Sequence, residues 1–165
     1  MALLFISLII QMLNNSSQDV FNADALLFSG AMLFLILVIH ATYMFLVTRQ
    51  FEVITDALMK TNRYSLIQPV FYVMAFVLAL SHLLEIYIWG FALNFFDLIP
   101  DGHQAMVFAG SAYTTVGFGT NPLPLSWDLV MVVIALSGMI AFGWSISILL
   151  GMTQIVHTAR TKRKE

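Results

Sequence analysis

Two groups of residues in this 165-residue chain have types and spacings that could do chemistry. The first is Tyr113-Thr114-Thr115-Val116-Gly117-Phe118-Gly119-Thr120. It carries no charge, two threonines lead it, and glycine alternates with larger residues. Alternating glycine opens backbone conformations closed to other residues, so successive carbonyls can point the same way. A row of carbonyls aimed at one axis can replace the water shell of a bare cation. The competing reading is a plain glycine-rich turn between two helices. The second group is His40, His82 and Glu85, ionisable side chains inside apolar segments. His82 and Glu85 are spaced i, i+3 and share a helix face. A charged Glu85 cannot face lipid cheaply, so it is protonated or paired. His82 is its expected partner, and His40 on the preceding segment can join. Such a cluster is either a pH-sensitive contact, since histidine titrates near neutrality, or a hydrogen-bonded peg between helices. The peg is the simpler reading. Two histidines and one carboxylate at this spacing are not a specific zinc pattern.

Composition fixes the setting of both groups. The chain is 60% hydrophobic and 10% charged, against about 25% charged in an average soluble protein. With a mean hydropathy of +0.89, it reads as an all-α integral membrane protein. A net charge of -2 leaves no nucleic-acid footprint. Without cysteine, disulfides and thiolate metal sites are excluded. Ten methionines and fourteen phenylalanines suit lipid contact and helix packing. No catalytic triad, phosphate loop or redox motif points to an enzyme.

The elements that must position these residues follow from the hydropathy pattern. Residues 1–13 form an apolar run shorter than the roughly 20 residues a span needs, and read as a short interfacial or core-packed helix. Residues 24–48 are a full first span, closed by Arg49. Residues 49–68 are the most polar stretch. The spacing of Phe51, Ile54, Leu58 and Met59 predicts a short amphipathic helix on the membrane surface. Pro69 suits the first turn of a second span over 70–96. A third span covers 126–157, and a basic tail, 158–165, follows it. Trp89 and Trp127 read as interfacial aromatics. The tail either binds anionic lipid headgroups or is a solvated stop. All seven lysines and arginines lie in 49–63 and 160–164. The positive-inside rule puts both groups in the cytoplasm and the N-terminus outside. That leaves the segment from Asp97 to Pro124 on the outer side.

Within that segment Asp101 is a candidate N-cap, with Gln104 three residues on completing a capping box. A helix over 102–114 is about 18 Å long, half a membrane. It must turn back, and its C-terminal dipole favours a cation in mid-bilayer. The chain then returns to the surface without helical hydrogen bonds. Lipid forbids this unless the backbone is buried in protein or lines a wet path.

In this context Thr115-Val116-Gly117-Phe118-Gly119 resembles the selectivity filter of the potassium channel family. The likeness runs over roughly residues 69–157, as outer helix (70–96), pore helix (102–114), filter (115–119) and inner helix (126–157). The resemblance implies passive conduction of K+ as the permeant ion, with no cofactor and no small-molecule substrate. One filter per chain implies a homotetramer of cyclic symmetry in a bacterial inner membrane. Thr115 would supply a hydroxyl and a carbonyl at the inner ion site. Val116, Gly117 and Phe118 would supply the rings above, with Gly119 at the mouth and Thr114 lining the base. Trp127 matches an aromatic where such inner helices begin. Ser137 to Gly143 resembles their glycine-hinge region, making Gly138 and Gly143 candidate hinges, with close helix packing as the alternative. The chain departs from the family at Thr120, where an aspartate often stands, at Ser111, where some relatives carry glutamate, and at the bulky Tyr113. The first span and residues 1–13 have no counterpart in the two-helix module. A less selective cation channel is the nearest alternative, opposed by Phe118 and Gly119. A non-conducting regulatory subunit is another. A potassium transporter would carry four degraded repeats rather than one clean copy. No span carries an arginine ladder, and the short sequence after the third span predicts no cytoplasmic ligand domain.

Overall fold

A computed structural model describes residues 22–162, so the short helix expected over 1–13 lies outside the described residues, as does the end of the basic tail. Four helices follow in order: α1 (Ala23–Lys60), α2 (Ile67–Phe95), α3 (Gly102–Tyr113) and α4 (Asp128–Lys162). Single 3-10 turns at Tyr64–Leu66 and Leu125–Trp127 lead into α2 and α4. Helices α1, α2 and α4 are long and apolar enough to cross a membrane. Much of their surface is large and apolar yet exposed, as at Leu27, Phe34, Phe45, Phe76 and Phe91. Apolar exposure on that scale marks a lipid or protein contact.

Helix α1 begins where the Asn22 side chain accepts from the backbone N–H groups of Asp24 and Ala25. Asp24 adds a negative charge where the helix dipole is positive. Its buried stripe runs Ser29, Met32, Ile36, His40, Met44, Val47, Phe51, Thr55, at steps of three and four. The surface helix expected within 49–68 is therefore corrected. Through Lys60 these residues continue α1, because no glycine or proline interrupts the run and Phe51 and Thr55 stay in register. At about 57 Å, α1 outreaches a hydrocarbon core of about 30 Å. Helix α4 likewise continues into the basic tail, as far as Lys162.

Three helices end in one motif. After α1, Asn62 takes φ 56° while Arg63 N–H bonds Leu58 C=O and Asn62 N–H bonds Met59 C=O. After α2, Asp97 takes φ 56°, with Leu98 to Leu93 and Asp97 to Asn94. After α3, Thr115 takes φ 59°, with Val116 to Ser111 and Thr115 to Ala112. Each is a left-handed residue with paired backward bonds that satisfy orphan carbonyls. The first two use residues tolerant of that conformation. The third uses a β-branched threonine, for which it is strained.

Helix α3 is wedged between α2 and α4, while α1 packs on α2 and α4 behind them. Two apolar cores result. One joins Met32 and Ile36 to Trp89, Leu93, Ala105, Ala109, Tyr113 and Ile134. The other joins Met44 and Phe51 to Ile67, Leu78, Met152 and Val156. Around the second core gather Arg49, Lys60, Arg63, Arg160 and Lys162, so all described basic residues lie at the end of the bundle away from Thr115–Gly119.

Trp89 is corrected from an interfacial residue to a core one. It is fully buried, and its indole N–H donates to Ser137 Oγ at 3.1 Å. A buried indole is stable where its N–H finds an acceptor, and Ser137 on α4 supplies one. Trp127 is half-buried, edge-on to Phe28 with ring centroids 5.8 Å apart.

Candidate functional site

The site is built outward from α3. Asp101 Oδ1 accepts the Gln104 N–H at 2.6 Å, which caps the helix as the sequence predicts. Small residues bring α3 close to its neighbours. At Gly90 of α2 an added Cβ would collide with Met106, and at Gly138 of α4 it would overlap the Tyr113 carbonyl. The twelve residues end at Tyr113, and Thr114 caps the helix.

Beyond Thr114 the loop curls onto one residue, Ser111. Its carbonyl accepts the N–H groups of Val116 at 3.0 Å and Gly117 at 3.3 Å. Its hydroxyl accepts the N–H of Phe118 in a short bond. No peptide bond in the described chain is cis. In a trans peptide the C=O of one residue points opposite to the N–H of the next. Three consecutive N–H groups aimed at Ser111 therefore turn the carbonyls of Thr115, Val116 and Gly117 to the opposite side. Among the described residues nothing donates to those three carbonyls. The backbone alternates to allow this. Thr115, Gly117 and Gly119 have φ of 59°, 73° and 80°, and the residues between them do not share that hand. Glycine meets this requirement at 117 and 119 without strain. Thr115 to Gly119 are all exposed on the single chain. Past them, Asn121 ties the returning strand to α4 by donating to Asp128 Oδ1 at 2.6 Å and accepting from Leu123 N–H. Thr120 is exposed.

The second group lies between the two cores. His40 and Glu85 are wholly buried, and His40 Nδ1 meets Glu85 Oε1 at 2.7 Å. The expected direct pairing of His82 with Glu85 is corrected. His82 reaches the carboxylate through Tyr113, whose hydroxyl donates to Glu85 Oε2 at 2.7 Å and lies 2.9 Å from His82 Nδ1. The i, i+3 spacing puts both on one face, but the buried Tyr113 of α3 enters between them. A phenol has one hydrogen, so His82 Nδ1 carries its own and donates to the Tyr113 oxygen. His82 Nε2 faces Ser145 Oγ at 3.1 Å, and Phe142 stacks on the ring at 4.3 Å. The chain Ser145, His82, Tyr113, Glu85, His40 thus runs from α4 to α2, α3, back to α2 and on to α1. The two histidines and Glu85 offer ligand atoms within 4.8 Å of one another. Their polar atoms are satisfied among themselves and by Tyr113 and Ser145, apart from the unpartnered His40 Nε2.

Sequence reasoning found Glu85, both histidines and the loop, and it missed Tyr113 as their link. The available signal was Tyr113 itself, a bulky polar aromatic after Gly110, Ser111 and Ala112. The candidate hinges separate. Helix α4 runs unbroken through Gly138 and Gly143, but only Gly138 is pressed against backbone, while Gly143 has nothing within 4 Å of an added Cβ. Gly138→Ala should therefore lower stability by about 1–3 kcal/mol, and Gly143→Ala should raise it by up to about 1 kcal/mol. Thermal unfolding in detergent reads both signs.

A search of protein-family models, of curated proteins and of solved structures returns no match to this chain.

Proposed function

We propose that this chain is the subunit of a potassium-selective channel, in which four copies surround one ion path with their Thr115–Gly119 loops. The observation that carries the reading is the run of three carbonyls, Thr115 to Gly117, turned away from Ser111 and left without donors. Unpaired carbonyls in a membrane protein need a wet path or an ion. Rings of backbone carbonyls are the known device for stripping water from K+. One loop covers only one side of an ion, which calls for cyclic symmetry. The exposed Val116 and Phe118 fit contacts made by neighbouring copies. The end of α3 supports the same reading, because its C-terminal dipole favours a cation beside Thr114 and Thr115. The clustered basic residues support a cytoplasmic position for their end under the positive-inside rule, which would turn the loop toward the outer side and leave the N-terminus outside.

The residues carry the roles the resemblance implies. Thr115 to Gly119 coordinate K+, Thr114 lines the base, and no cofactor takes part. The test is single-channel recording from purified protein in bilayers, potassium on one side and sodium on the other. The expected result is a reversal potential close to the potassium equilibrium value. Reversal near zero would sink selectivity and favour a general cation path. Silence at every voltage and pH would favour a non-conducting subunit.

A further inference from the structure

We propose that Glu85, oriented by His40, is a positioning residue for the ion path, acting through the Tyr113 hydroxyl to hold the end of α3 and the loop that follows it. This role rests on the channel reading and adds a task for α1, which that reading leaves idle. Helix α1 packs on α2 and α4 but not extensively on α3. Its polar connection to α3 is the chain of bonds His40 to Glu85 at 2.7 Å and Glu85 to Tyr113 at 2.7 Å. Tyr113 is the last residue of α3 and stands two positions before Thr115. Its own carbonyl is pressed against Gly138 on α4. Side chain and backbone of this one residue are thus both clamped where the helix gives way to the strained Thr115. A left-handed β-branched residue persists only where its surroundings over-determine it.

The bonds also impose an order on the hydrogens. Glu85 accepts from His40 on one oxygen and from Tyr113 on the other. His82 Nδ1–H donates to the Tyr113 oxygen, so the single phenol hydrogen is directed at Glu85. Removing that acceptor, or the phenol oxygen itself, cuts the polar link from α1 to the end of α3.

The experiment is potassium flux from liposomes holding the full-length protein, with thermal unfolding of each variant measured beside it. Tyr113→Phe should lose about tenfold in flux, the scale of one charge-assisted hydrogen bond, and Glu85→Gln, whose amide offers one acceptor oxygen where the carboxylate offers two, should lose flux as well. His40→Gln, whose amide still donates to the carboxylate, should keep more flux than His40→Leu. A Tyr113→Phe protein that keeps the wild-type flux overturns the role. Equal flux in His40→Leu and wild type removes α1 from it. If Glu85→Gln fails to assemble, Tyr113→Phe decides the question, since it deletes one oxygen and keeps the buried ring. No potassium flux from the wild type at any pH sinks the channel reading itself, and the positioning role with it.

Discussion

Gly117→Ala should assemble like the wild type and lose potassium flux by at least about a thousandfold. Among the described residues, none but its chain neighbours comes within 4 Å of where the new Cβ would sit, so a clash within the subunit is not the cause. Conformation is. Gly117 sits at φ 73°, and an L-residue held in the left-handed region costs roughly 1–2 kcal/mol. In the proposed channel, four subunits around one path would multiply this to about 4–8 kcal/mol. At roughly tenfold per 1.4 kcal/mol, even the lower figure reaches the thousandfold range. The loop would escape this cost by rotating the peptide, which breaks the Gly117 bond to Ser111 and turns a carbonyl away from the proposed ion path. Thr115 shows why the same escape is closed two residues earlier. Its φ of 59° is equally unfavourable, but the bonds of Thr115 to Ala112 and of Val116 to Ser111 hold it from both sides. The check is rubidium or potassium flux from liposomes alongside the size of the assembled protein. Selective flux within tenfold of wild type would contradict the backbone argument, and with it the role given to the carbonyls of Thr115 to Gly117.

How much of this was legible beforehand depends on how local each cause is. The three long helices were visible because hydropathy averages over many residues, and the helix bounds shifted only where the pattern lacked a stop signal. That is why α1 ran on past Arg49: basic residues end a span in the membrane but do not end a helix. The cap at Asp101 and the short helix after it were legible because a capping bond joins residues three apart. The glycines at 117 and 119 announced their own φ. Trp89 was misplaced because its acceptor, Ser137, is 48 positions away. The link through Tyr113 was missed for the same reason, its acceptor Glu85 lying 28 positions back on another helix. Ser111 sits between these cases. Its position behind the loop was noted from the sequence, but its triple role as acceptor for Val116, Gly117 and Phe118 depends on where the loop curls. Gly138 resolved from candidate hinge to contact point only once the Tyr113 carbonyl lay against it.

The buried pair supplies a second large effect, in which stability and conduction should part. Glu85→Leu leaves His40 in the core facing no carboxylate, and leaves the Tyr113 hydroxyl without its acceptor. Removing one partner of a buried pair costs about 3–5 kcal/mol. Removing both partners in favour of apolar groups is commonly neutral or stabilising, because neither charge then needs solvation. The double variant His40→Leu/Glu85→Leu should therefore recover most of the stability lost in Glu85→Leu. What remains is the Tyr113 hydroxyl without its carboxylate, about 1–3 kcal/mol. Adding Tyr113→Phe removes that hydroxyl but strands His82 Nδ1, which donates to it, so it should return little of the loss. His82 keeps Ser145 as a partner of Nε2 throughout. Resistance of the detergent-solubilised protein to thermal unfolding reads this series. The expected order is Glu85→Leu least stable, with the double and the triple close together above it. Conduction should not follow that order. The triple variant has no bond holding the end of α3 through Glu85, so its flux should stay low. A double variant as unstable as the single would mean the cost lies in packing around Glu85 rather than in a stranded partner. A triple variant that regains both stability and wild-type flux would mean that the polar chain is only a peg between helices, and that the loop after Tyr113 stands without it.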